Sequence, residues 1–183
     1  GEVIAVDRSS FIEMAREIAA VNGVKNISFF HDDSYTLDFE GQVDVLVSEW
    51  MGHFVFYETM LGPLLRLRDR YLKPGGVMLP GAITLHAGLV KDRYLYDELS
   101  SLREKRYGID FTPIAEAPFE QTSLETFVED QLLGPPIDLG RLDMHTLAAP
   151  PDRLIGTITP DEAAPIYGIC GWFGAELLPG IEL

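Results

Sequence analysis

The sequence predicts an α/β fold in two parts: a parallel sheet over roughly the first 80 residues, then an antiparallel sheet or barrel. Two observations carry this. Up to Pro80, short apolar runs alternate with helix-like stretches, the rhythm of strands joined by crossover helices. Beyond Pro80 that rhythm stops, and short β-like stretches are separated by proline and glycine.

The elements follow in order. Residues 3–6 form an apolar strand ending at Asp7. Ser10 and Glu13 have capping-box spacing, so a helix is expected there, with Phe11, Ala15, Ile18 and Ala19 as its apolar face and Gly23 as its stop. Residues 27–30 form the next strand, closed by His31, Asp32 and Asp33. In residues 43–47, Val43, Val45, Leu46 and Val47 are apolar, as a strand buried on both faces requires. Residues 58–72 read as a helix through Leu61, Leu64, Leu65 and Leu72, followed by a K-P-G-G turn and a strand at 77–79. In the second part, Ile83, Leu85, Ala87 and Leu89 alternate with Thr84, His86 and Gly88, a strand with two unlike faces. Residues 94–107 are charged and aromatic and read as helical, and residues 153–159 and 166–173 read as strands.

Composition narrows the function. Of the 183 residues, 46% are hydrophobic, enough for an ordinary core, and no apolar run is long enough to span a bilayer, so no membrane partner is expected. The net charge is −15, from 14 basic and 29 acidic residues. That argues against direct nucleic-acid binding, which needs clustered Lys and Arg, and favours cationic protein or peptide partners. The one cysteine, Cys170, permits no intrachain disulfide and suits a reducing compartment, cytoplasmic and, in a eukaryote, also nuclear. It lies in an apolar, glycine-interrupted stretch and reads as a small core residue. The chain starts inside a strand without Met, which points to an internal portion of a longer protein.

Asp7 stands where an acidic strand end in a nucleotide-binding α/β unit accepts both ribose hydroxyl protons, although a solvated strand-end carboxylate is equally compatible with its position. Asp33 and Ser34 end the following strand, where a carboxylate or backbone group can read an adenine amino group. His31, Asp32 and Asp33 lack a second ligand cluster at suitable spacing, so a metal is not expected. His53, His86 and His145 are isolated and fit no ligand pattern. Most informative is the segment 48–60, S-E-W-M-G-H-F-V-F-Y-E-T-M. Two glutamates, Glu49 and Glu58, flank an aromatic loop directly after a strand. If the loop folds back, both carboxylates face one cavity, and a planar guanidinium with five donors is their natural guest. Alternatively, Glu58 only starts a helix, where negative charge is favoured, and Glu49 is merely exposed.

This segment resembles the double-glutamate loop of protein arginine methyltransferases, S-E-x-M-G-x-x-x-x-x-E-x-M, through Ser48, Glu49, Met51, Gly52, Glu58 and Met60. Val43-Asp44, Arg68-Asp69, Leu72 to Gly76 and Leu79-Pro80 agree with that family, and a fainter likeness runs through Asp92-Arg93, residues 107–110 and residues 168–173. The resemblance implies a partial Rossmann-like methyltransferase sheet over residues 1–80 and a β-barrel-like substrate domain over 81–183, with a helical dimerisation arm at about 94–119. It implies S-adenosyl-L-methionine as cofactor, arginine-containing protein or peptide as substrate, and a homodimer formed through the arm. Glu49 and Glu58 would grip the guanidinium as catalytic residues, and Met51 would press on the target nitrogen, as in members that make asymmetric dimethylarginine. Asp7, where the family usually has Glu, would hold the ribose, while Asp33 and Ser34 would line the adenine. Tyr35 stands where the family often has an acid. The family's glycine-rich loop and the helix before it would precede Gly1, and its Thr-His-Trp loop would follow Leu183, so these residues alone are expected to bind cofactor weakly and to be inactive. The other readings are a class I methyltransferase with another substrate and a non-catalytic methyltransferase-like interaction module.

Overall fold

The computed structural model describes residues 1–56, 58–115 and 121–183. Two parallel strand pairs come first. Strand β1 (Val3–Asp7) pairs with β2 (Ile27–His31) in unbroken register, from Val3 opposite Ile27 to Asp7 opposite His31. Helix α1 (Phe11–Val21) makes the crossover. Strand β3 (Val43–Val47) pairs with β4 (Leu72–Leu79) through α2 (Leu61–Tyr71). Asp7 and the residues after His31 therefore share one end of the first pair, and Ser48 and Glu49 leave β3 at its corresponding end.

Several elements differ from the expectation. Helix α1 stops at Gly23 as expected, with φ +69° and its amide donating to Ala20 O at 3.1 Å. Its buried stripe, however, is Ile12 and Ala19, and Phe11 and Ile18 stay exposed. Among the described residues the helix packs chiefly on the narrow β1–β2 pair, so a thin stripe is covered and Phe11, Met14, Ile18 and Val21 face out. No side-chain cap forms at Ser10, whose backbone is helical rather than extended, and Glu13 turns to Arg16 and His31 instead of completing a capping box. Strand β3 is not buried on both faces: Val45 and Val47 are exposed, since β4 is its only hydrogen-bonded neighbour among the described residues. Helix α2 starts at Leu61 and not at Glu58. The K-P-G-G turn is a loop-out within β4, whose pairing to β3 jumps from Leu72 to Val77.

The second part is an antiparallel sheet. β5 (Ala82–Val90) lies between β6 (Ile137–Asp143) and β7 (Gly168–Leu178), and β8 (Ile181–Glu182) pairs antiparallel with β7 on its other side. Ile83, Leu85 and Ala87 of β5 are buried on one face, as their alternation requires. Residues 153–159 form no strand, and β6 takes the edge beside β5 in their stead. Helix α3 (Tyr94–Ser100) is shorter than expected, with a 3-10 turn at Ser101–Arg103 after it. Part of the expected arm, residues 116–119, lies outside the described residues.

One core spans both parts. Trp50, Val55, Leu61, Leu64, Leu65 and Met78 pack with Ile83, Leu85, Leu142, Met144 and Ala175. Arg68 on α2 secures this junction by donating through Nη1 to Met144 O (2.8 Å) and Leu147 O (2.7 Å), with Asp69 against its other nitrogens. The glutamate loop thus hangs on a packed junction, which is what a site needs to hold its geometry.

Candidate active site

The loop after β3 is fixed from inside. Trp50 and Val55 are fully buried, and Phe54 rests against β7. Among the described residues of the loop the backbone enters the left-handed region at Gly52 (φ +52°), Val55 (+45°) and Thr59 (+55°). For the β-branched Val55 and Thr59 this is strained geometry, of a kind that clusters at functional sites. A Cβ built on Gly52 would stand 2.8 Å from Glu58 Oε1 and 2.9 Å from its Cδ. The space a side chain at Gly52 would take is thus the space Glu58 uses. Glu49 accepts a hydrogen bond from the Met51 amide through Oε1 at 3.2 Å. Glu58 lies outside the first turn of α2, so its charge does not serve to cap that helix.

A cleft of about 620 Å³ opens between the two strand pairs, with Ile4 and Val6 on one bank and Val43, Val45 and Val47 on the other. Its lining brings together Asp7, Asp33, Ser34, Glu49 and Glu58, residues spread over half a hundred positions of sequence. Met51 is not among the lining residues; it packs against the hydrophobic core. Tyr35 and Met60 do line the cleft, and so does Arg8. Arg8 was missed from the sequence, although its place directly after Asp7 at a strand end is the signal that finds it. Its Nη1 stands 3.5 Å from Asp33 Oδ2.

The part of the cleft lined by Asp7, Asp33 and Ser34 is held by hydrogen bonds to backbone. The Ser9 amide donates to Asp7 Oδ1 at 2.6 Å, which holds the Asp7 carboxyl below its ordinary value, helped by the Ser9 side chain and by His31. Asp7 is thereby kept ionised and acceptor-only, with lone pairs left over. Asp32 is likewise lowered, first by the Thr36 hydroxyl and then by the Asp33 amide. Asp33 Oδ1 accepts from the Tyr35 amide at 2.8 Å, and Ser34 O accepts from Arg66 Nη1 of α2 at 2.9 Å. Volume, apolar banks and a rim of Asp7, Asp33, Glu49 and Glu58 suit a cationic nucleoside derivative beside a cationic side chain.

No family model matches the chain. Individual relatives do. "Probable protein arginine N-methyltransferase 6.2" of Oryza sativa subsp. indica is 32% identical over 182 residues, 95% of this chain and 46% of that protein. "Protein arginine N-methyltransferase 1" of Saccharomyces cerevisiae is 30% identical over 176 residues, 93% of this chain and 50% of that protein. The chain spans about half the length of the curated relatives it matches. Among solved structures, the Trypanosoma brucei PRMT1 enzyme-prozyme heterotetrameric complex with AdoHcy matches with a TM-score of 0.71 at 29% identity, over 80% of this chain and 46% of that one. Arabidopsis thaliana Protein Arginine Methyltransferase 10, in an open conformation, matches with a TM-score of 0.72 at 25% identity, over 94% of this chain and 57% of that one. In sequence over nearly its whole length, and in its α/β methyltransferase fold, the chain is a homologue of the protein arginine N-methyltransferases.

Proposed function

We propose that this chain forms the cofactor cleft and guanidinium clamp of an enzyme that transfers methyl groups from S-adenosyl-L-methionine to arginine in proteins. The observation that carries this is one cleft whose lining includes Asp7, Asp33 and Ser34 together with Glu49 and Glu58. Asp7 takes the ribose diol, and Asp33 and Ser34 line the adenine. The cofactor supplies, when bound, a methyl group made electrophilic by its sulfonium. Glu49 and Glu58 accept hydrogen bonds from two guanidinium nitrogens and draw positive charge towards them. The third nitrogen is left better able to offer its lone pair. The clamp also fixes that nitrogen's approach, so orientation supplies much of the rate. The strained, internally anchored loop keeps the two carboxylates in place before substrate arrives, and no base stronger than a carboxylate is required.

The antiparallel sheet would belong to a larger barrel that receives the substrate, and Met51, packed behind the loop, would limit the product to the asymmetric type. Residues 94–119 would be the arm of a homodimer. In support, α3 has no buried residue, and Tyr94, Ile109 and Ile114 are exposed. The test of the clamp is charge removal at constant shape. In the intact protein, Glu49→Gln and Glu58→Gln each lower turnover on an arginine peptide by about 100-fold or more. Melting temperature stays near wild type, since exposed positions away from structural features shift stability by only about 0.5 kcal/mol. Near-normal turnover in both variants would remove the clamp assignment.

A further inference from the structure

Phe54 lies two residues past Gly52 in the glutamate loop, and it rests on a glycine of the antiparallel sheet. A Cβ added at Gly171 of β7 would stand 3.0 Å from Phe54 Cε2 and Cζ, tighter than the usual carbon–carbon packing distance, so the ring must shift by a few tenths of an ångström, with His86 O 3.6 Å away. Gly171 pairs with Ala87 in the middle of the β5–β7 ladder and does not have a positive φ. Strand geometry therefore does not call for glycine here, and a β-branched residue would suit the strand better. The group that does call for a small residue is the phenyl ring. Next to Phe54, Val55 is fully buried at φ +45°, and the Phe56 amide closes back on Phe54 O at 2.5 Å. A push on the ring is thus passed to a backbone that has few other conformations.

We propose that Gly171 is a positioning residue for the guanidinium clamp: it seats Phe54, and through Phe54 the sheet sets where Glu49 and Glu58 stand. This rests on the reading of the glutamate loop given above. Asp7 ends β1 and Asp33 and Ser34 follow β2, whereas this seat lies between β7 and the glutamate loop, so the effect is expected on the peptide and not on the cofactor.

The experiment compares the wild-type intact protein with Gly171→Val, Phe54→Ala and the double variant. It measures kcat and KM for an arginine peptide, S-adenosylhomocysteine affinity by calorimetry, and melting temperature. Gly171→Val is expected to lower kcat/KM for the peptide about 10- to 100-fold while leaving S-adenosylhomocysteine affinity unchanged. In the Phe54→Ala background the same substitution is expected to cost nothing further, because the ring it strikes is gone. Gly171→Ala, whose Cβ alone meets the ring, acts in the same direction more weakly and carries the test if Gly171→Val lowers the melting temperature. Wild-type activity in Gly171→Val, or an equal loss with and without Phe54, overturns the positioning role alone. A wild-type protein that neither binds S-adenosylhomocysteine nor methylates the peptide overturns the site reading, and this proposal with it.

Discussion

A methyl group at Gly52 would meet two obstacles at once. The φ of +52° is costly for any residue with a Cβ, by roughly 1–2 kcal/mol, and the nearest atoms belong to the Glu58 carboxylate and its stem. Since the end of Glu58 is the part free to yield, Gly52→Ala should cost about that much stability while lowering kcat/KM by more than the stability loss explains. Chemical denaturation and peptide kinetics on the same preparation check this, and a variant with full activity would detach Gly52 from the clamp. Asp7 gives a second residue-scale prediction. Its carboxyl is lowered, chiefly by the Ser9 amide, so its charge is fully present above the ordinary aspartate value and is lost only as pH falls through the lowered one. S-adenosylhomocysteine affinity should therefore hold from pH 7 to about 5 and decline only below about 4. A midpoint above pH 5 would contradict Asp7 as the diol acceptor. At this scale the two glutamates around an aromatic loop left a guanidinium clamp and a helix start both open, and the resemblance to arginine methyltransferases chose between them. No spacing rule shows that Glu58 folds back over Gly52, or that Phe54 lands on Gly171.

Elements were readable where the sequence punctuates them and misread where it does not. Gly23 ends α1, and the alternation of Ile83, Leu85 and Ala87 gives the buried face of β5. Helix α1 carries Phe11, Ile12, Met14, Ala15, Ile18, Ala19 and Val21 around much of its circumference, so periodicity alone cannot choose the stripe that meets the sheet. Strand β6 was hidden because Asp138, Gly140 and Arg141 interrupt its apolar positions; Asp138 pairs with His86 and Arg141 with Glu176 on the solvent side. The junction between elements was equally hidden, since it depends on Arg68 reaching carbonyls more than 70 positions away. Arg68 is largely buried, and its two carbonyl bonds are charge-assisted. Arg68→Ala leaves Met144 O and Leu147 O without that donor and should cost about 3 kcal/mol, read as a lower denaturation midpoint at unchanged slope. An unchanged midpoint would mean that the core alone holds α2 to the residue 144–147 turn.

Over the whole molecule, the net charge is −15, and among the described residues the cleft lining includes Asp7, Asp32, Asp33, Glu49 and Glu58 against the one cation Arg8, a balance that favours cationic partners. The proposed arm is testable at the same scale. Deleting residues 94–119 from the intact protein should turn a dimer into a monomer by light scattering, and an unchanged dimer would show that the exposed Tyr94, Ile109 and Ile114 serve another contact. The most direct measurement is a crystal structure of the intact protein with S-adenosylhomocysteine and an arginine peptide. The account predicts the ribose hydroxyls on Asp7, the adenine beside Asp33 and Ser34, and the peptide guanidinium held between Glu49 and Glu58. A guanidinium bound elsewhere, with either glutamate facing only solvent, would contradict it.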